Sequence, residues 1–288
     1  MPDREGPSSL QVVQTVLDLR ALAESWRRQR LRVGLVPTMG ALHRGHVQLA
    51  RRAREECSRV IVSIFVNPLQ FAAGEDLDRY PRPLDADLRL LEAERVDLAF
   101  LPAVEEMYPN GEGTRVRVPD LDGILEGAHR PGHFEGVATV VLKLLLAAEP
   151  HRAYFGRKDA QQLAVVRRLA SDLLTGVEIV GCPTVREPDG LALSSRNRYL
   201  EGADRAAATC LSQALLAANA AYLDGERDSA ALRERLWEVL GREPRADVDY
   251  AEVVDEGTFQ APGRLAVIAA RIGGTRLIDN HLLGEPFP

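Results

Sequence analysis

The run Val33-Gly34-Leu35-Val36-Pro37-Thr38-Met39-Gly40-Ala41-Leu42-His43-Arg44-Gly45-His46 decides how this chain is read. Residues 33–36 form an apolar strand, residues 37–46 a loop with two glycines, and residues 45–57 carry a helical pattern. Strand, glycine-bearing loop and helix in that order open a parallel sheet. The unit then recurs. Residues 60–66 are a nearly continuous apolar run broken only by Ser63, and 96–101, 153–155 and 177–180 are similar. Strands apolar on both faces are what helices on both sides of a parallel sheet require. Helical patterns at 84–94, 134–148 and 159–174 supply the crossovers, so residues 1–183 read as a doubly wound α/β domain.

The texture changes after Pro183. Residues 184–200 are a polar connection, 203–223 and 229–240 are Ala- and Leu-rich helices, and 248–254, 264–272 and 275–279 are strands. The last two strands meet at Gly273-Gly274. Residues 184–288 therefore read as a second, smaller α+β domain.

Composition narrows the function classes. The 288 residues are 45% hydrophobic and 27% charged, enough apolar material for a core without disulfides or a structural metal. A formal charge of −6 argues against broad nucleic-acid binding while leaving room for a local basic pocket. Cys57, Cys182 and Cys210 are odd in number and form no CxxC pair, which reads as three reduced thiols in a cytosolic protein. The start, Met1 to Pro7, lacks the apolar segment of a signal peptide, and residues 137–148 are too short and too interrupted for a membrane span. The expected location is the cytoplasm.

In a doubly wound sheet the ligand lies beyond the carboxyl ends of the strands, so the loops there carry the chemistry. At the first loop, a helix N-terminus offers N–H groups and partial positive charge to a phosphate, and Gly40 and Gly45 permit close approach. His43 and His46, three apart, can face one side and donate to oxygens that gain charge as pyrophosphate leaves. Such a pair alone could equally be two solvent-facing histidines; its place after the first strand argues for catalysis. In the second loop, Gln70 could donate to a carboxylate and accept from a hydroxyl, or be a solvated side chain. The acidity of the stretch Gly74 to Arg82 fits helix capping, an amine site or support for magnesium. Arg130-Pro131-Gly132-His133-Phe134 fits a flap or a helix entry. At the fourth strand end, Gly156-Arg157-Lys158-Asp159 brings a lysine toward phosphate, and Gln162 points from the next helical turn to the same space. Leu193-Ser194-Ser195-Arg196-Asn197 lies at the domain junction; alone it reads as a polar linker, and with the other loops its two hydroxyls and guanidinium can grip terminal phosphates.

These motifs, in this order, resemble one family, pantothenate synthetase, within the HxGH nucleotidyltransferases. The resemblance runs from about Val33 to Asn280. It rests on Pro37 to His46, Ser63 to Phe71, Tyr80-Pro81-Arg82, Arg130 to Phe134, Phe155-Gly156, Lys158-Asp159, Gln161-Gln162 and Asp189 to Asn197. It implies a Rossmann-like first domain, a smaller C-terminal domain acting as a lid, a homodimer, and magnesium (Mg2+) with ATP. It further implies that Met39, Gly40, Ala41, Leu42, His43, Arg44, Gly45, His46, Gly156, Arg157, Lys158, Asp159, Val185, Leu193, Ser194, Ser195 and Arg196 surround ATP. Gln70 and Gln162 would hold pantoate, with Gln70 also near β-alanine. His46 would be the general acid, and His43, Lys158 and Arg196 would share the charge developed at phosphorus. Arg157 stands where the family usually has glutamate, a charge reversal beside Lys158 that puts the local ATP contacts in question. Ala160 stands where an aromatic is common, a packing change next to the site. The rival readings are another HxGH nucleotidyltransferase with a different small acceptor, a tRNA-charging enzyme, and a binding protein on an old nucleotide fold.

Overall fold

Strands β1 (Gln11–Val13), β2 (Val33–Thr38), β3 (Arg59–Ile64), β4 (Leu98–Phe100), β5 (Arg152–Gly156) and β6 (Glu178–Cys182) form one sheet in the order β1-β4-β3-β2-β5-β6. Every pairing in it is parallel. The protein is seen here as a computed structural model describing residues 9–72, 75, 77–109 and 113–288. The chain winds outward from β2 through β3 to β4, then returns beside β2 as β5, so the strand order reverses between β2 and β5. Those two strands pair only at Gly34 and Leu35. Such a reversal point is where an open α/β sheet places its ligand, at the carboxyl ends of the strands. Pro37, which has no N–H to give, falls where pairing with β5 has already ended.

Helices α1 (Val16–Arg28), α2 (Arg44–Glu56), α3 (Leu84–Ala93), α4 (Val104–Met107), α5 (Pro119–Asp122), α6 (Glu126–His129), α7 (His133–Ala148) and α8 (Ala160–Asp172) occupy the connections. In α2 the buried positions are Leu49, Ala50 and Ala53, one stripe at helical spacing, with arginines on the outer face. The stripe meets Val36, Val60, Val62 and Ala99 from the sheet. Each buried valine or leucine among them contributes about 1.5–3 kcal/mol, and each alanine roughly 0.8. α7 is buried on most of its surface, as its apolar sequence demands.

The remaining elements are α9 (Gly202–Ala207), α10 (Cys210–Leu223), α11 (Ser229–Leu240), and an antiparallel sheet of β7 (Ala246–Val254), β8 (Leu265–Ile272) and β9 (Thr275–Leu282). The stretch Gly202–Leu223 is long and apolar enough to cross a membrane, but half of it is buried inside the protein. Leu211, Ala214, Leu215 and Ala218 pack with Leu232, Leu236 and Ile268, so it is a core helix broken near Ala208.

The chain divides into two compact units. One holds residues up to Val118 together with Gly132–Gly156 and Val165–Cys182; the other holds Pro119–Pro131, Arg157–Ala164 and Pro183–Pro288. The doubly wound sheet and the smaller α+β unit expected from the sequence are both present. The second unit also claims α5, α6 and the start of α8, for a physical reason. Gln161 donates to the carbonyls of Leu121 and Ile124 and accepts from Glu126 N–H, while Arg276 of β9 pairs with Glu126 at 2.7 Å. All three cysteines are buried and free, and burial pushes the Cys210 thiol up to about 11.

Candidate active site

In the first unit, β2 delivers the chain into a turn with Gly40 at φ +80° and Ala41 at φ +49°. The turn is held from α3. Asp87, 3% exposed, accepts from the N–H groups of Ala41 and Leu42, each at 2.8 Å. Thr38 Oγ1 accepts from Gly40 N–H at 3.2 Å and donates to the Ser63 carbonyl at 2.7 Å.

His43 is the N-cap of α2. Its Nδ1 accepts from Gly45 N–H at 3.1 Å, and His43 N–H donates to Nδ1 of His46 at 3.3 Å. An imidazole that accepts at Nδ1 carries its proton at Nε2. The reciprocal cap therefore sets both rings in the tautomer whose Nε2–H is a donor. The rings lie 4.1 Å apart between centroids. Gly45 makes this possible, because a Cβ there would lie 2.9 Å from His43 Cε1 and 3.0 Å from Nδ1. The glycine between the two histidines is thus a packing requirement of the first ring.

Gln70 ends a single 3-10 turn, Pro68–Gln70, after β3. Asn67 holds it. Asn67 Nδ2 donates to Gln70 Oε1 and to the Gly136 carbonyl, both at 3.1 Å, and its Oδ1 accepts from the Tyr108 hydroxyl at 2.7 Å. His133, at the first turn of α7, contacts the Gln70 carbonyl through Nδ1 at 2.8 Å. Gln70 Nε2 is thereby directed at Met39 Sδ, 2.9 Å away. Met39, Gln70 and the histidine loop thus belong to one cluster. With Gly132 in the left-handed region and His133 opening α7, the 130–134 segment is helix-entry chemistry. Gly74 and Asp76 of the acidic stretch lie outside the described residues.

In the second unit, Arg157, Lys158 and Asp159 form the turn before α8. Lys158 Nζ is 3.8 Å from Asp159 Oδ1. Arg157 pairs with Glu285 at 3.0 Å, which gives its reversed charge a partner. The two neighbouring glutamines separate by environment. Gln161 is 6% exposed and spends its amide on the α5–α6 backbone, whereas Gln162 is half-buried. Behind Gln161, Glu126 accepts from the Tyr250 hydroxyl at 3.1 Å and from Arg276. Burial works against the Arg276 charge, but the hydrogen bond and charge of Glu126 outweigh it and hold the guanidinium above its usual range. Burial is also the main cause that raises Tyr250 well above the usual phenol value, so it stays a donor.

Val185 accepts from Leu193 N–H at 2.9 Å, and Arg186 and Ala192 form a bridge. This tight excursion leads into Ser194, which caps the 3-10 turn Ser195–Tyr199 by accepting from Arg196 N–H. Arg186, 4% exposed at its side chain, makes two bonds to Asp279, at 2.6 and 3.0 Å. Gly156 closes β5 in the first unit.

Asp87, Asn67, Tyr108, Arg186, Asp279 and Asn280 were not assigned roles from the sequence. Asp87 carried a faint signal, an acidic residue in a helix first turn, which the helix dipole explains just as well.

A doubly wound sheet whose reversal-point strand leads a mutually capped His-x-Gly-His onto a helix defines a class, the HxGH nucleotidyltransferase kind. The chain matches the pantoate-β-alanine ligase family over residues 11–282, and it belongs to that family. It is 55% identical over 279 residues to the pantothenate synthetase of Rubrobacter xylanophilus, covering 92% of this chain and 96% of that one. The crystal structure of pantothenate synthetase from Thermus thermophilus superposes with a TM-score of 0.89 at 49% identity, over 95% and 99% of the two chains. Pantoate-β-alanine ligase from Francisella tularensis, solved with β-γ ATP and β-alanine, gives a TM-score of 0.80 at 34% identity over 97% and 100%.

Proposed function

We propose that this chain is the ATP-dependent ligase that joins pantoate to β-alanine, through a pantoyl adenylate, with release of pyrophosphate and AMP. The observation that carries the reading is the capped His43–His46 pair in a chain matching pantothenate synthetases over nearly its whole length. The Francisella relative was solved in complex with β-γ ATP and β-alanine, which supports the same pair of ligands for this chain.

Pantoate's carboxylate attacks the α-phosphorus and pyrophosphate leaves. Nε2–H of His43 and of His46 donate hydrogen bonds to phosphate oxygens. With each Nδ1 already accepting an N–H, both rings act as neutral donors, and pyrophosphate leaves as an anion whose growing charge these bonds take up. Lys158 and Arg196 bring positive charge, and the Ser194 and Ser195 hydroxyls add hydrogen bonds. Met39 to His46, Gly156 to Asp159, Val185 and Leu193 to Arg196 are the ATP-binding segments. Gln70, its Oε1 fixed by Asn67, presents Nε2 to pantoate, and Gln162 is the second pantoate amide. The deprotonated amine of β-alanine then attacks the acyl carbon and expels AMP.

Among the described residues no group of three His, Cys, Asp or Glu side chains converges on a metal position. Magnesium would accordingly be held mainly by phosphate oxygens and water, neutralising their charge. The working form is a cytoplasmic homodimer, a reading taken from the family resemblance.

The test is exchange of labelled pyrophosphate into ATP with pantoate present and β-alanine absent. Pantoate-dependent exchange is the expected result; exchange with another carboxylate but not with pantoate would overturn the assignment of substrate. Gln70→Ala should raise the pantoate KM about tenfold, the effect of losing ~1.4 kcal/mol of binding, with the ATP KM little changed. An unaltered pantoate KM would move the substrate pocket elsewhere. Gly45→Ala should slow exchange about tenfold, since displacing a positioned donor costs rate. The histidine ring resonances should shift in the same variant, and a normal rate with shifted rings would detach His43 from the chemistry.

A further inference from the structure

We infer that Asn280, a residue of β9 distant in sequence from every assigned loop, positions Lys158 for the nucleotide. The inference rests on the reading of Lys158 as a phosphate ligand. Asn280 is 8% exposed, and its Nδ2 donates to two consecutive carbonyls, Arg157 at 3.0 Å and Lys158 at 2.6 Å. Two carbonyl acceptors determine the orientation of the amide, because the flipped form would set Oδ1 against both oxygens.

The anchor is itself stiff. Asn280 pairs with Val267 in the antiparallel ladder, and its backbone N–H donates to Asp279 Oδ1 at 2.8 Å. Asp279 is locked to Arg186, which donates in addition to the Gly190 carbonyl at 3.1 Å. Two adjacent β9 residues thus serve two loops. Asp279, through Arg186, braces the excursion that leads to Ser194-Ser195-Arg196, while Asn280 braces the turn that carries Lys158. A lysine ammonium rides on a flexible four-carbon stem, so its aim depends on where its backbone is held. Fixing both carbonyls of the turn fixes the base of that stem. A register error in β9 would displace both phosphate-facing segments together.

The experiment compares Asn280→Ala, Asn280→Asp and Asn280→Ser in the full chain by pantoate-dependent pyrophosphate exchange. Asn280→Asp keeps the shape but turns a carboxylate toward two carbonyl oxygens. The expected result is an ATP KM raised about tenfold in the Ala variant, more in Asp, and less in Ser, which retains one donor. The pantoate KM should stay within about twofold, a split that general loosening of the fold would not produce. Asn280→Ser also serves as the measurable variant if the other two do not fold. The deciding measurement is a double-mutant cycle with Lys158→Ala. If Asn280 acts through Lys158, adding Asn280→Ala or Asn280→Ser to Lys158→Ala should change the ATP KM by less than about twofold. A full additive penalty in that background would overturn the inference while leaving Lys158 in its role. Wild-type kinetics for Lys158→Ala alone would overturn both.

Discussion

His46→Ala is expected to slow pantoate-dependent exchange of pyrophosphate into ATP by at least ~10²-fold, the scale of one lost transition-state donor. The variant removes two things at once. It deletes the Nε2 donor, and it deletes the Nδ1 acceptor that caps His43 N–H. Loss of a cap costs about 0.5–2 kcal/mol of stability and should not by itself abolish turnover. Two further variants separate the effects. An asparagine amide places its oxygen near where Nδ1 was, so His46→Asn should recover thermal stability and remain slow. A glutamine amide reaches nearer to Nε2, so His46→Gln should recover part of the rate. Recovery of rate in His46→Asn would mean that capping, and not donation, is what His46 contributes. Near wild-type exchange in His46→Ala would remove it from the mechanism.

How far the sequence discloses this site follows from the range of each interaction. The parallel strands were legible because burial on both faces leaves a continuous apolar run, as in Val60 to Val62. The loops that follow them were legible because the sheet topology assigns ligands to strand carboxyl ends. The strand β1 and helix α1 lie outside the elements read from the sequence. Yet α1 carries its own signal, with Leu19, Ala23 and Trp26 at helical spacing behind the cap of Thr15 on Asp18 N–H. β1 is a three-residue edge strand, too short for any period to register. Gln161 and Gln162 are identical in type and adjacent. Only the fold reveals that the first is consumed by the α5–α6 backbone. The same holds for Asp279 and Asn280, since bonds spanning 93 and 122 residues leave no trace in local periodicity. Arg157 looked like a charge fault beside Lys158; its partner Glu285, 128 positions on, makes it one half of an ion pair.

Asp87→Ala is expected to lower exchange by about 10²-fold and to cost about 3–6 kcal/mol of stability, because it removes two hydrogen bonds to a charged group, each worth roughly 1.5–3 kcal/mol. The argument begins with the N–H groups of the first loop. A helix entrance is expected to offer them to phosphate. Here most are already engaged: Gly40 with Thr38, Ala41 and Leu42 with Asp87, His43 with His46, and Gly45 with His43. In the proposed function, recognition of the phosphates would therefore fall less to the loop backbone than to the two imidazoles that the backbone orients. Asp87 is the fixed point of that arrangement, a nearly inaccessible carboxylate bridging from α3 to the turn. Without it the buried N–H of Ala41 and the half-buried N–H of Leu42 lose their acceptor, and the left-handed conformation at Ala41 loses the bond that offsets its strain. Asp87→Asn keeps one acceptor oxygen in the same place and should fall between Ala and wild type in both thermal midpoint and rate. If Asp87→Asn matched wild type in stability yet lost the full rate, the carboxylate charge itself would be required. If Asp87→Ala kept its rate, the loop would hold its shape without α3, and the source of the histidine geometry would have to be sought in the reciprocal cap alone.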